Sequence, residues 1–441
     1  MRTRNLFHPS ILPRANILSG CIAALLSTLA VPSAPAEAPP GSAEQWIDYI
    51  AREEPADEVR KRFRERGMPN HFSELLGPRP DDSENGWLHL SHTLASMEDS
   101  FSSEGGMALS DLLGGEPATL SKDEWLAAAR EIGATREARA VVAAVAEAVR
   151  MPHWYPVREW ELGYELMIPE VSTFREAARI LSLRHRMALA GEAGEGPSAG
   201  ELQALQVGFS LRIAEEPNLI SFLTGVAARL MPVRDARWSL QTTGSIPPPA
   251  PFDRAAWEDR FNRALSGERL FGQRIFADIR SGKGPELMDS LRTLGGPDDG
   301  KVSPLARMLD ALVFFVILGE EDQYLKLMEL QASDLDPGAI DAITDEFLSR
   351  RRMSLMGIIV PAVSGIRRQI DKMERASRGW EIAAALSESY GETGAYPAEP
   401  PVDSGGFRYT LLDDGRSFRL ESDNPDDSDD SLFQWTPPSA E

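Results

Sequence analysis

Asp423, Asp426, Asp427, Asp429 and Asp430 set five carboxylates within a short C-terminal run. A calcium ion takes about six to eight oxygen ligands, so Ca²⁺ is the cofactor such a run could hold. The run contains Pro425 and no glycine to turn backbone carbonyls inward, which favours the opposing reading of a solvated acidic tail. A second constellation joins His153, Trp154, Tyr155, Trp160 and Tyr164 to Glu159, Glu161 and Glu165. Aromatic faces with carboxylates suit a sugar, and glycoside hydrolysis needs a carboxylate on each side of the scissile bond. Glu161 and Glu165 are spaced to project in parallel from one helix face, so packing of the rings on the core is the favoured expectation.

His89 and His92 stand one helical turn apart with His71 near in sequence, but a metal also needs a third ligand, for which only Glu98 or Asp99 offers itself. Exposed histidines are favoured there. His185 falls on the apolar stripe Phe174, Ala178, Leu181, Ala188, where a hydrogen-bonded core histidine is expected. The stripe Arg350, Arg351, Arg352, Arg367, Arg368, Lys372, Arg375 and Arg378 could receive an anionic partner, an anionic headgroup or the acidic tail, with the tail or solvent preferred. Phosphate-loop, dinucleotide, nucleophile-elbow and zincin patterns are absent. No catalytic residue is assigned.

The elements that must position these groups read as mainly helical. Ser42 to Gln45, Ser121 to Glu124, Thr173 to Glu176 and Ser198 to Glu201 fit the capping box, in which hydroxyl and acid or amide satisfy backbone donors reciprocally. Ser303-Pro304 and Asp336-Pro337 place proline at a first helical position. Gly133 should divide the Ala/Val-rich residues 125–150 into two helices, and Pro361 should kink or restart a helix running to about Tyr390. The apolar run 311–318 is too short to span a bilayer and reads as a core helix. Residues 241–252 (QTTGSIPPPAPF) form an extended linker. Phe407 to Tyr409 and Phe418 to Leu420 alternate around Asp413-Asp414-Gly415 as a hairpin.

The fold expected is therefore mainly α: antiparallel helical pairs in two halves, 37–240 and 253–390, joined by the linker 241–252 and closed by a β-containing piece, 391–441. Residues 1–36 read as a secretory signal, with Arg2, Arg4 and Arg14, the apolar run 17–31 and Ala34-Pro35-Ala36. Cys21 lies in a sequence resembling a lipoprotein processing box, but the apolar run follows it where it should precede it, so lipid anchoring is disfavoured. As the sole cysteine, Cys21 would leave with the signal, and disulfides and thiolate chemistry with it. With 46 Lys+Arg against 68 Asp+Glu, a net charge of −22 argues against nucleic acid as a partner. No transmembrane span is expected in the mature chain.

Residues 380–435 carry a helix ending in Tyr390, then Gly394, Tyr396 and Pro397, then the hairpin and the acidic tail. This stretch resembles the C-terminal region of the major pseudopilins of type II secretion, where a Gly-x-Tyr-Pro turn leads to a small sheet and a calcium loop. The N-terminus and the long helical region depart from a pilus subunit. The whole arrangement resembles uncharacterised exported bacterial helical proteins, which bring no established activity. The function expected is a non-enzymatic binding or scaffolding protein of the bacterial envelope, periplasmic or at the cell surface, with an envelope protein or polysaccharide as partner. The competing expectations are an envelope-polysaccharide enzyme built on residues 153–165 and an accessory of a type II secretion-like apparatus.

Overall fold

Helix-start chemistry sets most of the observed boundaries. The computed structural model describes residues 40–96, 121–160, 168–192, 196–283, 321–333, 335–349, 356–424 and 434–437, together with residues 109, 112, 113, 162 and 194. The signal-like residues, Ser303-Pro304, the run 311–318, Arg350 to Arg352 and Asp426, Asp427, Asp429 and Asp430 lie outside the described residues.

Ser42 caps α1 (Ala43–Ala51) by accepting from Gln45 N, while the Gln45 amide turns to Gly41 N rather than closing the box. A short break leads to α2 (Ala56–Glu65), α3 (Phe72–Leu76) and α4 (Gly86–Ala95). Ser121 and Glu124 form the full capping box of α5 (Lys122–Gly133), and Thr135 caps α6 (Arg136–Arg150), so the chain does break at Gly133. Thr173 starts nothing. It lies inside α7 (Glu170–Leu189), because the chain is already helical at Pro169 and Glu176 pairs with Arg179 instead of a cap.

Ser198 and Glu201 close the capping box of α8 (Ala199–Ile213), and Asn218 caps α9 (Leu219–Thr243), accepting from Ser221 N at 2.7 Å. Asp253 caps α10 (Arg254–Asp278). Then come α11 (Glu321–Gln331), α12 (Pro337–Ser349), whose first N–H groups bond Asp336 Oδ1 at 2.9 and 3.1 Å, and α13 (Met356–Thr393), which continues through Pro361. No described helix is long and apolar enough to cross a membrane.

Strands β1 (Phe407–Leu412), β2 (Ser417–Ser422) and β3 (Gln434–Trp435) form an antiparallel sheet in the order β1-β2-β3. Tyr409 faces Leu420 across the hairpin, whose turn at Asp413 to Gly415 uses positive φ at Asp413 and Gly415. The sheet closes on α13: a Cβ on Gly379 would lie 2.9 Å from both Phe407 Cζ and Trp435 Nε1, so helix and sheet meet at a distance only glycine permits.

Two large cores result. One joins Trp87, Val141, Val145, Phe174, Leu181 and Phe209. The other gathers Trp46 and Phe63 of α1 and α2 with Trp257, Tyr324, Trp380 and Trp435. Helix α9 serves both, sending Phe222, Val226, Leu230, Val233 and Leu240 into the second and Ala228 and Trp238 into the first. A helix with core on two faces loses the one-sided stripe of a surface helix. The extended segment after Gly244 is strapped down: Trp380 Nε1 donates to Pro247 O at 2.9 Å, and Arg229 Nη2 donates to Ala250 O at 3.2 Å.

Where α10 passes the start of α9, a Cβ on Gly267 would stand 1.8 Å from the Pro217 carbonyl oxygen. The neighbouring Glu268 Oε1 accepts from Leu219 N at 3.0 Å, so backbone and cap are locked together. Gly267→Ala should therefore destabilise by about 1–3 kcal/mol despite alanine's better helix propensity. Urea unfolding reads this as a lower midpoint at constant slope. A midpoint equal to or above wild type would show that the two backbones separate freely.

Candidate functional site

The end of α7 brings three consecutive basic residues, Arg184, His185 and Arg186, into the interior. His185 and Arg186 turn to Asp235, and Arg184 turns away from it. Asp235 on α9, fully buried, is the acceptor at the centre of a polar network. Its Oδ1 accepts from Ser182 Oγ at 2.6 Å and Arg186 Nε at 2.7 Å; its Oδ2 accepts from Gln206 Nε2 and His185 Nδ1, each at 3.0 Å. Burial opposes ionisation of this carboxyl, yet Arg186, His185 and Ser182 hold its pKa below the ordinary value. A carboxylate can only accept, so His185 carries its proton on Nδ1. Its Nε2 has no hydrogen-bond partner among the described residues.

Serine, histidine and aspartate in one cluster invite comparison with a hydrolase triad. A nucleophilic serine needs its hydroxyl on the imidazole. Here Ser182 and His185 bond separate oxygens of the same carboxylate. The arrangement ties α7, α8 and α9 together and is structural. Arg186 extends it, donating to Leu113 O at 3.2 Å and lying 5.8 Å from the Trp238 ring.

Arg184 points the other way, into a pocket of about 480 Å³ where the end of α5, the first turn of α6 and the loop after α7 meet. Arg130 and Arg139 join it there, with Glu192 the carboxylate among the described lining residues. Two of the guanidinium groups are anchored on the closing carbonyls of α5: Arg184 Nη1 donates to Gly133 O at 3.2 Å, and Arg139 Nη1 to Ala134 O at 2.6 Å. Burial, with the Arg139 charge beside it, lowers the Arg184 pKa. Arg130 is exposed and grips Glu192 through Nη2 at 2.6 Å and Nε at 3.2 Å. Met187 and Ala134 supply apolar wall, and Gly194 and Gly196 bring the loop backbone.

Of the groups singled out in the sequence, Trp154 and Trp160 are buried. Trp154 packs 5.8 Å from Phe174, and Trp160 stacks 4.8 Å from Phe72. Trp154 is not carried on a helix, and Trp160 stands in a 3-10 turn. Residues 151–159 are non-helical, held by buried Asn85, which donates to Tyr155 O at 2.8 Å and accepts from Tyr155 N at 3.0 Å. Glu159 is exposed, and Glu161, Tyr164 and Glu165 lie outside the described residues. His89 Nε2 sits 3.4 Å from Glu147, while His92 and His71 are exposed. No group of three potential metal ligands occurs among the described residues.

Asp423, the described member of the acidic tail, faces Arg408 at 3.4 Å. The basic stripe has local partners: Arg367 donates to Ser333 O at 2.8 Å, Arg368 pairs with Asp341, and Arg378 bonds Glu381 at 2.7 Å and Asp403 O at 2.6 Å.

Known proteins do not resolve what this pocket is for. No family model, curated protein or solved structure matches the chain. The pocket arginines also escape sequence reasoning. The one signal they leave is a run of three basic residues on a helix otherwise lined by Leu181, Leu183 and Met187.

Proposed function

We propose that this protein is an exported, non-enzymatic binding protein of the bacterial envelope that holds a small ligand in the pocket between α5, α6 and α7. The observation that carries the reading is the pocket's lining, which among the described residues offers donors and apolar wall without a nucleophile paired to a base. Its described carboxylate, Glu192, is engaged by Arg130 rather than poised for proton transfer. Export rests on the signal-like residues 1–36, and a charge of −22 accords with a partner other than nucleic acid. The packing of Trp154 and Trp160 into cores leaves those rings without a face for sugar, which favours binding at the pocket over polysaccharide chemistry at 153–165.

The test is native mass spectrometry of the full chain purified from the envelope of a bacterium expressing it. A small molecule should be retained by the wild type and lost from Ala134→Trp, a change at an exposed lining position that fills the cavity. An empty wild-type protein, or equal retention in the variant, would sink the reading.

A further inference from the structure

The junction between the exposed turn 81–84 and α4 carries the chain's one Asn-Gly dipeptide, Asn85-Gly86. Asparagine is a chemically labile residue, and most so before glycine, whose bare backbone lets its nitrogen reach the side-chain amide. Packing fixes both residues here. A Cβ on Gly86 would overlap the Ala148 carbonyl oxygen and crowd Met151 Cβ at 3.3 Å, so α4 meets the end of α6 through glycine. Asn85, fully buried, must be an amide: it donates to Tyr155 O at 2.8 Å and accepts from Tyr155 N at 3.0 Å, which a carboxylate cannot do. The fold thus retains a reactive pair, and it also seals it. Gly86 N, the nucleophile of such a reaction, donates to His153 O at 2.9 Å, while its target, the Asn85 side-chain amide, is held on Tyr155.

The seal is thin. The segment opposite Asn85 is non-helical, its Pro152 and Pro156 offer no N–H, and a further backbone bond to the turn runs from His153 N to Glu84 O at 3.3 Å. The His153 and Glu84 side chains beside it are 52% and 57% exposed. Few backbone bonds next to solvent mark a segment that opens without the whole fold. We propose that Asn85 is a spontaneous modification site, closed while 84–86 and 151–155 stay paired and converted one way to aspartate or isoaspartate when they part. Once freed, Gly86 N gives its proton to solvent hydroxide and bonds Asn85 Cγ. The bond from Cγ to the side-chain nitrogen breaks, and that nitrogen leaves as ammonia with a proton from water. Water then opens the succinimide ring, giving aspartate by attack at Cγ and isoaspartate by attack at the main-chain carbonyl carbon. Either product bars reclosure. An aspartate carboxylate has no proton for Tyr155 O and would be buried against that carbonyl. Isoaspartate adds a methylene to the backbone where Asn85 must register with His153.

Incubation of the full chain at mildly alkaline pH, folded and in urea, followed by digestion and mass spectrometry of the peptide holding residue 85, tests this. Conversion in the folded chain should be slower than in urea by about a hundredfold or more, the reciprocal of the fraction of time the junction is open. Trp154→Ala, which takes a ring off Phe174 and Phe209, should loosen the segment and quicken conversion of the folded chain about tenfold. Arg212→Gln, which removes a bond to Met151 O and a pair with Glu215, should act in the same direction more mildly, and it decides the matter if Trp154→Ala does not fold. Hydrogen exchange at Gly86 N should rank the chains in the same order, since it reads the same opening. Asn85→Asp, the product made directly, should speed exchange across 84–86 and 151–155 while residues 321–331 keep their protection. No conversion in urea, equal rates folded and in urea, or wild-type rates in the loosened variants would overturn the proposal. So would wild-type protection of this junction in Asn85→Asp.

Discussion

Asp235→Ala is expected to destabilise the fold by about 3–5 kcal/mol, because it removes the acceptor on which the Arg186 guanidinium and the donors of Ser182, His185 and Gln206 converge. Arg186 would keep its carbonyl bonds to Leu112 and Leu113 but lose its counter-ion inside the core. Ser182→Ala, which deletes one donor and leaves the carboxylate paired, should lose only about 1 kcal/mol. The contrast separates an uncompensated charge from a missing hydrogen bond, and urea unfolding measures both.

The same carboxylate gives the pH dependence its sign. Burial works against the Asp235 charge, but Arg186, His185 and Ser182 hold its native pKa below the ordinary 3.8. A depressed native pKa means stability that is complete above the unfolded value and lost as pH falls through the native one. The acid limb of the stability curve should be steeper in the wild type than in Asp235→Ala. Parallel limbs would show that Asp235 does not titrate with unfolding.

Much of the helical frame was legible because it is written in local chemistry. Ser121 with Glu124, Ser198 with Glu201 and Asp336 before Pro337 need only their own turn of backbone, and each starts a helix as expected. The hairpin around Asp413 to Gly415 is equally local. Thr173 misled because the same pattern recurs inside a helix already begun, where Glu176 finds Arg179 within reach. Trp154 and Trp160 were expected in the core, and they are there, although the segment at Trp154 is held by Asn85 rather than wound as a helix. The pocket was not legible. It depends on the end of α5, the start of α6 and the loop after α7 meeting at one place, and neither Arg130 nor Arg139 differs in sequence from any solvated helical arginine. Arg184 leaves a trace as part of the basic run Arg184-His185-Arg186 on a helix otherwise lined by Leu181, Leu183 and Met187.

Helix α11 carries the other large effect, since its sequence EDQYLKLMELQ reads as half solvent-facing and yet its charged residues Glu321, Asp322, Lys326 and Glu329 are all buried. The reason is that α1, α2 and the residues flanking them supply most of their partners, with Arg280 adding one to Glu321. Lys326 Nζ lies 2.9 Å from Glu54 Oε1 and 3.4 Å from Asp322 Oδ2, and also donates to the Arg52 carbonyl. Glu54 in turn receives both terminal nitrogens of Arg62 at 2.6 Å, and Tyr49 donates to Glu329 Oε2 at 2.7 Å. Burial alone would raise the Glu54 pKa, but the hydrogen bonds from Arg62 and Lys326 lower it overall. Lys326→Ala would remove the buried cation that Asp322 and Glu54 share, with Arg62 still on Glu54 and Asp322 losing its ammonium partner, an expected loss of about 3–5 kcal/mol. Lys326→Met combined with Asp322→Asn should recover part of that loss, since an apolar side chain replaces the buried cation and the Asp322 carboxylate is neutralised. The loss should also be local first. Hydrogen exchange in Lys326→Ala should quicken across residues 42–66 and 321–331 while α7 to α9, held by Asp235, keep their protection. Uniform loss of protection would mean that these ions support the whole fold, and unchanged exchange in 42–66 would mean that Trp46, Ile50 and Phe63 dock those helices without them.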